Sequence, residues 1–162
     1  MTYACCFSLE CTDYMWEKYG NNGQDSLCLV FNFGKLRQIL NETFNNSVLI
    51  DSNSICSQIF SINYGNIEYV DRERNTSKHP NNIYNTYYKN NLFKEEREFR
   101  IALSTPIGKY MVGEQELIFP PSIQFPFNFQ KAFEEGTIES ITTYNNDHDI
   151  KNKLKQLGIQ QK

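Results

Sequence analysis

The sequence predicts an α+β fold, a single domain over residues 1–162 with a mixed or mainly antiparallel sheet flanked by short helices. Three observations carry this. Short stretches of strand-like alternation or aromatic and β-branched content are interleaved with short stretches of helical periodicity. Thr105-Pro106-Ile107-Gly108 reads as a turn joining two antiparallel strands. Neither a repeat nor a linker divides the chain, and its 40 % hydrophobic and 14 % aromatic residues suffice for one well-filled core.

In chain order, Tyr3 to Phe7 is a short apolar strand at the very start. Thr12 or Asp13 caps a following helix whose Met15, Trp16 and Tyr19 share a face, and Gly20 stops it. Asn21 to Asp25 is a turn. Ser26 to Phe33 is apolar on both faces, which predicts a central strand ended by Gly34. Leu36, Ile39, Leu40 and Phe44 then repeat at helical spacing, giving a helix from Lys35 to Phe44, with a short apolar run at Val48 to Ile50 beyond. Ile59 to Val70 predicts one or two strands interrupted near Gly65 and Asn66. Asp71 to Asn82, polar and containing Pro80, is a surface loop. Tyr84, Tyr87, Tyr88 and Phe93 mark one face of a helix leading into the acidic stretch.

Asn91 to Ser104 reads NLFKEEREFRIALS. As a strand it turns Phe99, Ile101 and Leu103 to a core while Glu96, Glu98 and Arg100 line the other face. Past the turn at Pro106, strands follow at Lys109 to Val112 and Glu116 to Phe119, and Pro120-Pro121 excludes a central position beyond. Phe125, Phe127, Phe129 and Phe133 pack over a sheet edge. A strand at Thr137 to Thr143 and a helix from His148 to Leu157, capped near Asp147, close the chain.

Burial rests on 12 Phe and 10 Tyr, so tyrosine hydroxyls need partners. The formal charge of −3 gives no general attraction to phosphate backbones, so a nucleic-acid partner is not expected. The odd set Cys5, Cys6, Cys11, Cys28 and Cys56 matches no zinc spacing, and neither His79 nor His148 completes one. Reduced thiols and no metal are the expectation. No stretch has the length to cross a bilayer and MTYACCFS lacks the features of a signal peptide, which predicts a soluble, cytoplasmic protein with no membrane partner.

The chemistry that stands out is the pair Glu96 and Glu98. Two carboxylates on one strand face can orient a ribose hydroxyl and stabilise positive charge developing at an anomeric carbon. The same alternation also belongs to any half-exposed strand. Arg100 either pairs with Glu98 or binds a phosphate, and an Arg100 buried beneath the acids would keep both ionised and rule out a general-acid role at neutral pH. Ser8 and Cys6 end the first strand, but Ser8 has no neighbouring His–acid pair and Cys6 no activating base. Trp16 and Tyr19, three apart on one helix, can stack on a planar ring or pack in the core. No glycine-rich phosphate loop is present.

Cys6-Phe7-Ser8, Met15-Trp16-x-x-Tyr19, an apolar strand ending at Phe31 and Glu96-x-Glu98-aromatic-Arg100 together resemble the bacterial domain-of-unknown-function family 2971. The tail from Ile138 to Ile159 is similar to the family's closing strand and helix, with Tyr144 where a glycine is usual. Members of that family carry an upstream Lys-Tyr-Arg-like strand and an Asn-Asp-Pro-Phe turn. This chain begins after both, which implies a short form or the loss of a first strand and part of the site. The order of early strand, aromatic helix and late Glu-x-Glu strand is also similar to ADP-ribosyltransferase domains. That likeness implies Glu98 at the nicotinamide ribose, Glu96 orienting the acceptor, Ser8 supporting the pocket and NAD as cofactor.

The leading expectation is therefore a domain with a polar cleft in which Glu98 and Glu96 are catalytic and Arg100, Ser8, Trp16 and Tyr19 bind ligand. The reaction implied is nucleotide-directed ADP-ribosyl transfer or NAD cleavage. The alternative is a non-catalytic protein- or nucleotide-binding module with a structural acid pair. A third reading is a domain that oligomerises to cover an exposed sheet edge.

Overall fold

The computed structural model describes residues 1–20, 26–46, 59–71, 82–106, 109–116 and 118–144, with Asn152, Lys155 and Gln156 beyond. The fold is α+β, with mostly antiparallel sheets. Its contacts divide the chain into two compact units, Met1–Glu10 with Asn41–Phe125, and Cys11–Leu40 with Pro126–Lys162.

The first unit is built on a sheet with three strands among the described residues. Strand β6 (Glu98–Ser104) lies in the middle, with β1 (Thr2–Ser8) and β3 (Ser61–Asn66) antiparallel on its two sides. In register, Ser8 stands opposite Glu98, Cys6 opposite Arg100 and Tyr3 opposite Leu103. Gly65 is the partner of Arg100 on the other side. The apolar face closes through Leu103 onto buried Phe44, Ile59 and Phe60, with Tyr3, Ile62, Phe119 and Phe125 against them. Tyr3 and Phe119 meet the Phe60 ring edge-on. The Tyr3 hydroxyl donates to the Pro120 carbonyl at 2.5 Å, the partner a half-buried phenol requires.

After Asn66 the chain changes partner. Buried Ile67 still donates its N–H to Glu98 O at 2.9 Å, but β4 (Glu68–Val70) then pairs in parallel with β5 (Tyr88–Asn90). The predicted interruption near Gly65 and Asn66 therefore marks a transfer from one sheet to another. The helix expected through Tyr84 to Phe93 is three elements: a single turn α3 (Asn82–Asn85), strand β5 and a 3-10 helix (Asn91–Glu96). Asn90 caps the last by accepting from Leu92 N at 2.9 Å, so the tyrosine spacing did not reflect one continuous helix. The turn at Pro106 does not deliver a strand back to β6 among the described residues. Strand β7 (Met111–Val112) pairs instead with β8 (Gln115–Glu116).

In the second unit, Thr12 caps α1 (Asp13–Tyr19) by accepting from Met15 N, and Gly20 terminates it by donating to Trp16 O at 2.9 Å. Strand β2 (Leu27–Phe31) pairs antiparallel with β9 (Ile138–Thr143). The double-sided burial expected of β2 is corrected, because among the described residues it has one neighbouring strand, and Leu27 and Val30 are exposed. Helix α2 (Phe33–Asn46) starts before Gly34. Asn32 sets that start, its side chain accepting from Lys35 N and its carbonyl from Leu36 N. Phe127 meets Phe31 and Phe129 edge-on, and Phe133 packs on Ile141 beside Leu29 from helix α4 (Phe129–Glu134). The phenylalanine cluster is thus divided, with Phe125 on Phe44 in the first unit. The turn at 21–25, the apolar run at 48–50, most of the loop at 71–82 and most of the closing helix lie outside the described residues.

Phe60, 3 % exposed, anchors the first core. Phe60→Ala should lower unfolding free energy by about 3–5 kcal/mol in denaturant titration, whereas truncating exposed Leu92 should change it by less than about 0.5 kcal/mol.

Candidate functional site

The polar face of the first sheet gathers four charges. Glu98 opens β6, and Glu96 ends the 3-10 helix instead of continuing the strand as the alternation implied. Between them Arg97 has φ 44°, a left-handed conformation that is uncommon for a residue with a side chain. That turn brings both carboxylates to one cation. Lys89 Nζ contacts Glu96 Oε2 and lies 2.9 Å from Glu98 Oε2. Arg100 grips Glu98 from the strand itself, with Nε 2.5 Å from Oε1 and Nη2 3.2 Å from Oε2, while Nη1 donates to Thr86 O at 2.5 Å.

The acids are buried at 4 % exposure each, whereas Lys89 and Arg100 keep 22 % and 17 % of their side chains accessible. The face therefore carries cations at its margin and anions beneath, and it is not the wet row of acids that alternation alone suggested. Burial works against ionisation of Glu98, but hydrogen bonds from Arg100, Cys6 and Lys89 outweigh it and hold the carboxyl at about 2. Desolvation likewise opposes the charge on Lys89 and Arg100, and their carboxylate partners more than offset it, so both pKa values are raised. The Cys6 thiol is pushed up by desolvation and by the Glu98 carboxylate, the reverse of what activates a nucleophile.

Backbone and ring groups fix this arrangement. In the parallel ladder Lys89 stands opposite Tyr69, whose hydroxyl accepts from Glu98 N at 2.8 Å. Lys89 and Tyr69 thus reach the same residue, one at its side chain and one at its backbone. The Lys89 ammonium also lies 5.0 Å from the Phe93 ring centroid. The Tyr87 ring covers Gly65, where any added Cβ would come within 3.0 Å of it. Ser8 Oγ sits 2.8 Å from Glu96 O and 2.7 Å from Glu10 O, tying the end of β1 to the end of the 3-10 helix.

Of the six residues singled out by sequence, Glu96, Glu98, Arg100 and Ser8 come together here. Trp16 and Tyr19 belong to the second unit, where Trp16 is buried with its ring 5.6 Å from Tyr144 and Tyr19 is 60 % exposed. Sequence reading missed Lys89, Tyr69 and Tyr87. The available signal for Lys89 was Asn90-Asn91, a turn-forming pair that breaks the helix the tyrosines implied. Among the described residues no cluster of three or more His, Cys, Asp or Glu could hold a metal ion, and no helix is long and apolar enough to cross a membrane.

The family model described as "Protein of unknown function (DUF2971)" matches residues 15–101, more than half of the chain. The chain belongs to the DUF2971 family. The matched stretch of this DUF2971 protein includes Trp16, Tyr19, Lys89, Glu96, Glu98 and Arg100, and leaves Ser8 and the β9 region outside. Curated proteins and solved structures give no match.

Because Arg97 occupies the left-handed region, Arg97→Gly should hold or raise stability, by up to about 1 kcal/mol, and Arg97→Val should lower it by at least about 1 kcal/mol. Thermal denaturation of the two variants checks the opposite signs. Glu98 has a depressed folded pKa, so its contribution is complete above the unfolded value of about 4.3 and is lost as pH falls toward about 2. Each tenfold gain in acidity on folding is worth about 1.4 kcal/mol, so the contribution amounts to about 3 kcal/mol. Glu98→Gln should remove it at pH 7 and flatten the dependence of stability on pH between about 4 and 2, as read by denaturant titration across that range.

Proposed function

We propose that this DUF2971 chain is a non-catalytic nucleotide- or protein-binding module in which Glu96 and Glu98 are structural. One observation carries the reading: both oxygens of Glu98 are occupied, by the Arg100 fork and by Lys89. A carboxylate so held has little capacity left for a substrate hydroxyl and, ionised, has no proton to give. The accessible part of the cluster is the pair of cations, and an anion arriving from solvent meets Lys89 and Arg100 before either acid. Arg100 donates three of its N–H groups internally. A guanidinium has five, which leaves capacity for phosphate oxygen. A nucleotide phosphate is the ligand this margin fits best.

Calorimetric titration of the whole chain with ADP tests the reading. Binding should weaken roughly tenfold in Lys89→Met, the loss of one charge-assisted contact, read below the lowered melting temperature that the unpaired Glu96 carboxylate causes, where circular dichroism shows the variant folded. Absence of ADP binding by the wild type would remove the nucleotide reading.

A second reading, ADP-ribosyl transfer or NAD cleavage, is favoured by one feature. Ser8 stands opposite Glu98 in register and beside Glu96, the three residues the enzyme likeness had grouped. It requires Lys89 to yield to the substrate so that Glu98 can face a developing oxocarbenium ion. Labelled NAD distinguishes the two: release of nicotinamide by the wild type and its loss in Glu98→Gln supports catalysis, and no release by the wild type ends it.

A further inference from the structure

Strand β1 is the outermost strand of its sheet, and β6 is its one neighbour among the described residues. Its hydrogen bonds show which groups face outward. Thr105 N donates to Met1 O at 3.1 Å, the Met1 amine donates to Thr105 O at 3.2 Å, and Leu9 N donates to Arg97 O at 3.0 Å. Bonded and non-bonded pairs alternate along an antiparallel ladder. Tyr3, Cys5 and Phe7 therefore spend their backbone groups on β6, and Thr2, Ala4, Cys6 and Ser8 direct theirs to the outer edge.

Within its own residues that strand lacks the charge, proline and bulge by which solitary edge strands avoid pairing. TYACCFS contains no lysine, no other charge and no proline, and its register with β6 runs without a bulge. Ala4, Cys5 and Cys6 at its centre are exposed. Because the strand is uncharged, a second copy meets it without like-charge repulsion. The partner is further specified by the pattern of outward groups. If two copies run antiparallel about Cys5, Thr2 pairs with Ser8 and Ala4 with Cys6 in both directions, so every outward residue finds a bonded partner. Centring the pair on Ala4 or on Cys6 leaves an outward residue of each copy unmatched. In the matched register the two Cys5 residues face each other as a non-bonded pair, the class with the closest Cα atoms, about 4.5 Å apart.

We propose that the outer edge of β1 pairs antiparallel with β1 of a second copy of this chain, with Cys5 of each copy at the two-fold axis. The dimer is isologous, and it joins two three-stranded sheets into one continuous sheet.

Light scattering on the full chain, eluted with a thiol reductant across a wide concentration range, should give a mass rising to twice the 19.0 kDa of one chain. A single-chain mass at every concentration overturns the proposal. Under oxidised glutathione, the two facing Cys5 thiols lose two protons and two electrons to form one S–S bond, and the glutathione disulfide is reduced to two thiols. The covalent dimer should form in the wild type and in Cys6→Ser and be absent in Cys5→Ser, and linkage through any other cysteine overturns the register. Ala4→Pro removes an outward N–H that β6 does not use, so circular dichroism should be retained while the mass halves. A folded Ala4→Pro chain that still dimerises places the interface elsewhere, and should that variant not fold, the Cys5 linkage decides.

Discussion

Two carboxylates at 4 % exposure stay ionised only where cations stand against them, and that requirement organises the first unit. Glu96 and Glu98 are met by Lys89 and Arg100, two charges against two. Net gain from such a cluster is smaller than its attraction, because desolvation consumes part of it. Its leverage is conditional: with one member out of place the others become unpaired charges in a dry setting. The cluster therefore acts on which arrangement of the chain is tolerated as well as on how strongly the chain folds.

Four segments must be correct at once for the charges to balance. Strand β6 supplies Glu98 and Arg100 from successive positions on one face. The 3-10 helix supplies Glu96, and a left-handed Arg97 reverses the chain between them. Strand β5 supplies Lys89, held in register by β4, while Tyr69 of β4 occupies the Glu98 amide. Ser8 at the end of β1 closes the group through the Glu96 carbonyl. The chemistry open to Glu98 is set by the residues that hold it.

Much of the frame was legible in the sequence. Strands β1, β6 and β9, helix α1 with its Thr12 cap and the break after Asn66 follow from alternation and capping chemistry, which act within a few residues. Glu98 and Arg100 were legible as a same-face pair, and so was the consequence that a guanidinium against Glu98 would keep it ionised, whereas Glu96 ends the 3-10 helix and is met by Lys89, which strand alternation does not show. The rest depended on contacts distant in sequence. Nothing local announces that Tyr87 will cover Gly65, or that three residues around Lys89 form a strand in parallel with Glu68–Val70. Strand β2 misled because apolar side chains on both faces imply cover on both, whereas Leu27 and Val30 are exposed. Asn32 was overlooked because Gly34 is the stronger punctuation mark, although the cap two residues earlier sets the helix start.

The parallel pairing of β4 with β5 constrains the connection between them. Parallel neighbours cannot be joined by a tight hairpin, so the connection from Val70 to Tyr88 is necessarily long. The ladder alone, not the span that bridges it, determines that Lys89 arrives opposite Tyr69. The last residues of that connection belong to the charge cluster's frame, so a change at Thr86 or Tyr87 reaches Arg100 and Gly65 directly, whereas the ladder sets the height at which Lys89 arrives.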